Sequence, residues 1–162
     1  MLEQFPARPA ADKGGGFLNM TTARLEKLTQ LKPQERAALA EYLDRLRARF
    51  ADRVLRVILY GSRARGEGDA ESDLDVLVVV DDGDWKFQDE VALESFEPSL
   101  KYSALISPHI WDRAHYSKQK KSRLLFYRNL EKDGIELWTK PQRPQRLLKG
   151  SKGQKTISKQ LT

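Results

Sequence analysis

The sequence predicts a single α/β (α+β) domain in which helices pack on a small sheet. Three observations carry that expectation. Two apolar runs rich in β-branched residues, "VLRVILY" (54–60) and "LDVLVVV" (74–80), are joined by a polar connector. An amphipathic segment, "KPQERAALAEYLDRLRARF", precedes them. A length of 162 residues, 40% of them hydrophobic, suffices for one core with polar ends to spare.

Taken in order, residues 1–20 contain "KGGG" and several prolines and alanines, a composition expected of disorder. "GGG" is not a phosphate loop, because no Gly-Lys-Ser/Thr follows it. Met20 opens a helix-like segment and is a candidate physiological start. "TTARLEKLTQL" reads as helical. In the next segment Pro33 suits a first helical turn, and Leu39, Tyr42 or Leu43, Leu46 and Phe50 recur at helical spacing.

The run at 54–60 is then a strand. The run at 74–80 is nearly unbroken in apolar residues, as a strand buried on both faces requires. "DWKFQDEVALESFE" reads as one helix, and a third strand is expected near "KYSALISPHI". "KQKKSRLLFYRNLEKDG" reads as a basic helix ended by Gly134 at the C′ position, and "IELW" as a closing strand. From Lys140 onward seven bases and no acid form an expected flexible tail. The domain is therefore expected over residues 21–139, between a disordered segment (1–20) and a basic tail (140–162).

Composition excludes several chemistries. There is no cysteine, so neither a disulfide nor a thiolate zinc site can form, and two histidines do not make a His-rich metal centre. A metal would have to sit on carboxylates, which favours Mg²⁺ or Mn²⁺. No signal-peptide core and no run of 18 apolar residues are visible, so a cytoplasmic protein without membrane contact is expected. The net charge of +6 is uneven: residues 67–97 hold twelve acids against Lys86 alone. A concentrated acidic segment on a basic chain suits a metal-dependent site for an anion, or a solvated acidic loop.

The connector decides between those readings. Gly61 and Ser62 close one apolar strand, ten residues follow, and Asp73 and Asp75 flank Leu74 at the mouth of the next. Side chains two apart on a strand share a face and lie roughly 6.6 Å apart along it, close enough to ligate a common metal. Gly61 permits a tight backbone approach, while the Ser62 hydroxyl and nearby N–H groups can bind a phosphate oxygen. Arg63 and Arg65 add positive charge beside it. Val76 and Leu77 stand where an EF-hand would need oxygen ligands and its glycine.

"GSRARGEGDAESDLD" resembles the motif of the polymerase-β-type nucleotidyltransferase superfamily: Gly-Ser, ten residues, Asp-x-Asp. It is most similar to the minimal nucleotidyltransferases that pair with an all-helical HEPN toxin, over roughly residues 33–138, with "RNLEKDGIELW" similar to the end of such domains. The resemblance implies the nucleotidyltransferase fold, a small mixed β-sheet with helices packed against it. It implies that Gly61 and Ser62 bind the triphosphate of ATP and that Asp73 and Asp75 hold Mg²⁺ (or Mn²⁺). A hydroxyl would then attack the α-phosphorus and pyrophosphate would leave. As antitoxin, such a protein transfers AMP to a tyrosine of its partner.

The superfamily also places a third carboxylate on the strand after the intervening helix. "KYSALISPHI" has none; Glu90, Glu94 and Glu97 precede it and Asp112 follows it. That departure keeps a second reading open, a nucleotide- or partner-binding antitoxin module without transfer. A third reading is a small-molecule nucleotidyltransferase of the antibiotic-modifying kind. Elsewhere, His109 reads as lining the site or as an ordinary, partly buried histidine. Trp85, Trp111 and Trp138 read as core or edge packing. Lys118, Lys120, Lys121, Arg123 and Arg128 read as a solvated face or a nucleic-acid contact, a role also open to the basic tail.

Overall fold

A computed structural model of the chain describes residues 23–69 and 72–140. The expected disordered segment and nearly all of the basic tail lie outside the described residues. The elements run α1 (Pro33–Phe50), β1 (Val54–Tyr60), α2 (Gly61–Arg65), β2 (Leu74–Val80), α3 (Trp85–Leu93), α4 (Phe96–Tyr102), β3 (Ile106–Asp112), α5 (Arg113–Ser122), α6 (Leu125–Asp133) and β4 (Ile135–Thr139). The four strands form one mixed sheet in the order β3-β2-β1-β4. β1 pairs antiparallel with β2 and β4, and β2 pairs parallel with β3.

Helix α1 forms where the spacing predicts it. Pro33 sits in its first turn, and Leu39, Tyr42, Leu43, Leu46 and Phe50 are buried along one stripe. That stripe covers one face of the sheet, meeting Val54, Val57 and Leu59 of β1 and Leu74, Val76, Val78 and Val80 of β2. Each such side chain stabilises the fold by about 1.5–3 kcal/mol relative to exposure. The buried Tyr42 hydroxyl donates to the Val91 carbonyl of α3 at 3.3 Å.

The opposite face is thinner. Ile58, Leu77 and Val79 pack only against Tyr127 and Leu130 of α6, with Leu55, Tyr60, Trp111 and Tyr116 at the margin. β2 is thus buried on both faces along most of its length, as its composition requires. Its first turn of side chains is where the second cover stops.

Several elements differ from the sequence reading. Among the described residues the segment before Pro33 is helical only over 23–26. The helix expected over "DWKFQDEVALESFE" is two helices. Pro98 has no N–H to continue the ladder, and the buried Glu94 carboxylate at the break is held by Arg45 and Arg49 of α1. The third strand lies further along than expected, at 106–112, because α4 runs to Tyr102. The basic helix is also two, divided at Arg123 with φ +47°. α5 buries no side chain, in keeping with a solvated basic face.

Gly134 ends α6 but is extended (φ −70°, ψ 134°), not left-handed. Its need for glycine is space: a Cβ there would lie 2.4 Å from the Leu130 carbonyl oxygen. Lys140 still bonds to β1 through its N–H to the Leu55 carbonyl at 2.8 Å. Of the tryptophans, Trp138 is buried, Trp111 is partly buried and Trp85 is exposed to solvent.

Candidate active site

The end of β1, the turn after it and the start of β2 meet at the open end of the thinner face. Tyr60, the last residue of β1, stands opposite Asp75 in the antiparallel pairing. The chain then turns at Gly61 with φ +76°, a left-handed conformation that glycine adopts without penalty. A Cβ at Gly61 would lie 2.3 Å from Asp75 Oδ2, so the carboxylate rests directly against the glycine backbone. Gly61 and Asp75, fourteen positions apart in sequence, are in contact in space.

α2 closes with Gly66 in the left-handed region (φ +73°), and the Glu67 N–H donates to the Ser62 carbonyl at 3.0 Å. Ser62 is half-buried at the start of α2. Asp73 immediately precedes β2 and lines a cleft of about 190 Å³ together with Lys32, Gln34, Ser72 and Ser103. Burial raises the Asp75 carboxyl above its ordinary range, the neighbouring His109 opposes that shift, and the like charge of Asp73 adds to it. Tyr60 is pushed up to about 12 by burial, with Asp75 contributing, so it stays a neutral phenol.

The four residues expected at the phosphates separate into two groups. Gly61 and Ser62 stand at the site, and Arg65 is exposed beside it, paired with Glu67 at 2.6 Å. Arg63 instead points inward. It is buried against Glu35 at 2.8 Å, and its guanidinium donates to the carbonyls of Ser72 (3.2 Å) and Gly68 (3.5 Å). Glu35 also accepts from the Lys32 N–H at 2.7 Å, which ties the start of α1 to the connector. Arg63 therefore shapes the loop that delivers Asp73.

Comparison with known proteins places this geometry. The family described as "Nucleotidyltransferase domain" matches residues 39–140, most of the chain. The chain belongs to the nucleotidyltransferase family. A candidate protein adenylyltransferase of Methanocaldococcus jannaschii is 32% identical over 104 residues, 64% of this chain and 98% of that one. A second such protein of the same archaeon is 44% identical over 63 residues, 38% of this chain and 64% of that one. A solved structure of a candidate nucleotidyltransferase from Sulfolobus solfataricus aligns over 80% of this chain and 93% of that one, with TM-score 0.36 and 18% identity.

In this nucleotidyltransferase Asp73 and Asp75 stand at the entry to β2. Asp75 rests against the Gly61 backbone and feels the like charge of Asp73, and two such hard oxygen donors fit a divalent cation, which would retain waters or take phosphate oxygens to fill its shell. Among the described residues no group of three or more Asp, Glu or His side chains is placed to hold a metal. The acids that flank β3 in sequence stand elsewhere. Glu94 pairs with Arg45 and Arg49, and Glu97 with Arg45. Asp112 lies opposite Val80, at the far end of β2 from Asp75, and caps α5 by accepting from the His115 N–H at 2.6 Å. Glu90 is exposed on α3.

Tyr60 and Phe126, which the sequence did not single out, are found at the site, together with His109, for which the sequence left open a place in it. The Tyr60 hydroxyl lies 2.8 Å from His109 Nδ1, spanning β2 just beside Asp75. Phe126 packs edge-on against Tyr60 at 5.2 Å and lies 5.1 Å from Trp111, forming an aromatic wall. The period-two alternation offered a signal for Tyr60, which immediately precedes Gly-Ser and must pair near Asp-x-Asp in a tight antiparallel return. For His109 the sequence left two readings open, and the register of β3 puts it on the face of Asp75. No helix among the described residues is long and apolar enough to cross a membrane.

Proposed function

We propose that this nucleotidyltransferase moves AMP from ATP to a tyrosine hydroxyl of a partner protein, a small all-helical toxin of the HEPN kind. The carrying observation is the contact of Asp75 with Gly61, which joins a phosphate-binding turn to a metal-binding carboxylate. In this reading Asp73 and Asp75 hold Mg²⁺ (or Mn²⁺), while the N–H groups at Gly61 and Ser62 and the Ser62 hydroxyl orient the triphosphate. Arg65 adds charge at the rim, and Arg63 fixes the loop. When bound, the metal neutralises charge on the phosphates as pyrophosphate departs. Positioning by the turn and the two strands supplies much of the remaining rate.

Two further observations support the acceptor. The matched relatives of Methanocaldococcus jannaschii carry names of protein adenylyltransferases. The wall of Tyr60, Phe126 and Trp111 beside Asp75 suits an aromatic acceptor ring. A second reading, a binding module without transfer, is favoured by the lack, among the described residues, of a group of three acids or histidines placed to hold a metal.

The test is incubation of the protein with its co-purifying partner, α-labelled ATP and Mg²⁺. Label is expected on a partner tyrosine, and it should vanish with Asp73→Ala or Asp75→Ala. Labelling that both variants support as well as the wild type would refute the assignment. Silencing of the partner by both variants without any label would establish the binding-module reading instead.

A further inference from the structure

β3 offers no acid on the face it shares with Asp75. In the parallel pairing Ser107 stands opposite Asp75, His109 opposite Leu77 and Trp111 opposite Val79, so these three side chains share the Asp75 face. Of the three, only His109 carries a side chain of the general acid–base kind, an imidazole. The ring is exposed to the open end of the sheet, yet it is held. Nδ1 meets the Tyr60 hydroxyl at 2.8 Å, and the Tyr60 ring is in turn fixed edge-on by Phe126. With Nδ1 engaged, Nε2 is the imidazole's remaining polar atom. His109 and Asp75 lie within electrostatic reach of one another.

We infer that His109 serves this nucleotidyltransferase where the superfamily pattern asks for its third carboxylate, as the catalytic residue that receives the proton of the acceptor hydroxyl. The inference rests on the transfer reading above. The acceptor oxygen forms a bond to the α-phosphorus, the bond from the α-phosphorus to the bridging oxygen breaks, and pyrophosphate leaves with that electron pair. The hydroxyl proton passes to Nε2. Tyr60 is a positioning residue: its oxygen accepts from Nδ1–H, which leaves the Nε2 lone pair free for the incoming proton.

The test uses the full chain with Mg²⁺, ATP and N-acetyltyrosinamide as the acceptor, alongside equilibrium binding of ATP. His109→Ala should lower the rate of transfer by about 10²-fold or more, with ATP affinity unchanged. Added free imidazole should restore a measurable part of that rate, an effect that a purely structural role would not produce. Tyr60→Phe should lose less, about tenfold, through a fall in kcat with KM for ATP preserved. Transfer by His109→Ala at the wild-type rate, or loss of transfer matched by loss of ATP binding, overturns the assignment to His109 while leaving the transfer reading intact. A wild type that binds ATP and transfers to neither N-acetyltyrosinamide nor the partner overturns the transfer reading, and the assignment with it.

Discussion

The two faces of the sheet are built from the same strands and do different work. On one face Leu74, Val76, Val78 and Val80 meet a full layer from α1, and every one of them is buried. On the other, Leu77 and Val79 are covered by α6, but the cover ends before Asp75 is reached. Alternation of side chains along a seven-residue strand thus separates stability from chemistry with no further device. It follows that substitutions on the closed face should act on folding and those at the open end on binding. The connector between β1 and β2 is where the two meet, through Arg63 and Glu35 on the inside and Gly61 and Asp75 on the outside.

That division can be broken or sharpened by four substitutions read in denaturant unfolding. The largest effect is expected from Arg63→Ala, which strands Glu35 as a buried charge without its partner. A loss of about 3–5 kcal/mol should follow. A loss under about 1 kcal/mol would mean that this pair does not anchor the connector. Leu43→Ala on the closed face should come next, at about 2–5 kcal/mol, while leaving ATP affinity per folded molecule unchanged. Gly61→Ala combines a left-handed backbone with a clash on Asp75, and about 1–3 kcal/mol should be lost along with nucleotide binding.

The smallest expected effect has the opposite sign. The Asp75 carboxyl is raised in the folded protein, chiefly by burial, so folding disfavours its charged form. Asp75→Asn should therefore slightly stabilise the protein at a pH above the folded value, where Asp75 is ionised in both states. The gain should shrink as pH falls through the folded value and vanish below the unfolded one, where both states are neutral. A loss of stability above the folded value would show that Asp75 is held by favourable contacts instead.

β1 and β2 were legible to the residue and α1 to within one, because each is a long apolar pattern bounded by charged or turn-forming residues. The breaks were harder. The split after α3 depends on Glu94 reaching back to Arg45 and Arg49, a contact made only by tertiary packing. The split at Arg123 uses a positive φ without a glycine or asparagine to mark it. In the site, the spacing from Gly61 and Ser62 to Asp73 and Asp75 was legible because it is local chemistry on two adjoining strands. Arg63 was not: its neighbours in sequence suggest a phosphate, but its partner Glu35 is supplied by α1. His109 needed the register of β3, which no local pattern specifies.

The central claim is that Asp73 and Asp75 at the open end of the sheet bind a divalent cation together with a nucleoside triphosphate. It is tested most directly by titrating Mn²⁺ into protein and ATP and following bound Mn²⁺ by electron paramagnetic resonance, in the wild type and in Asp73→Asn/Asp75→Asn. Saturable binding by the wild type in the presence of ATP, lost in a variant that remains folded, is the predicted result. Equal Mn²⁺ binding by the two proteins would contradict it.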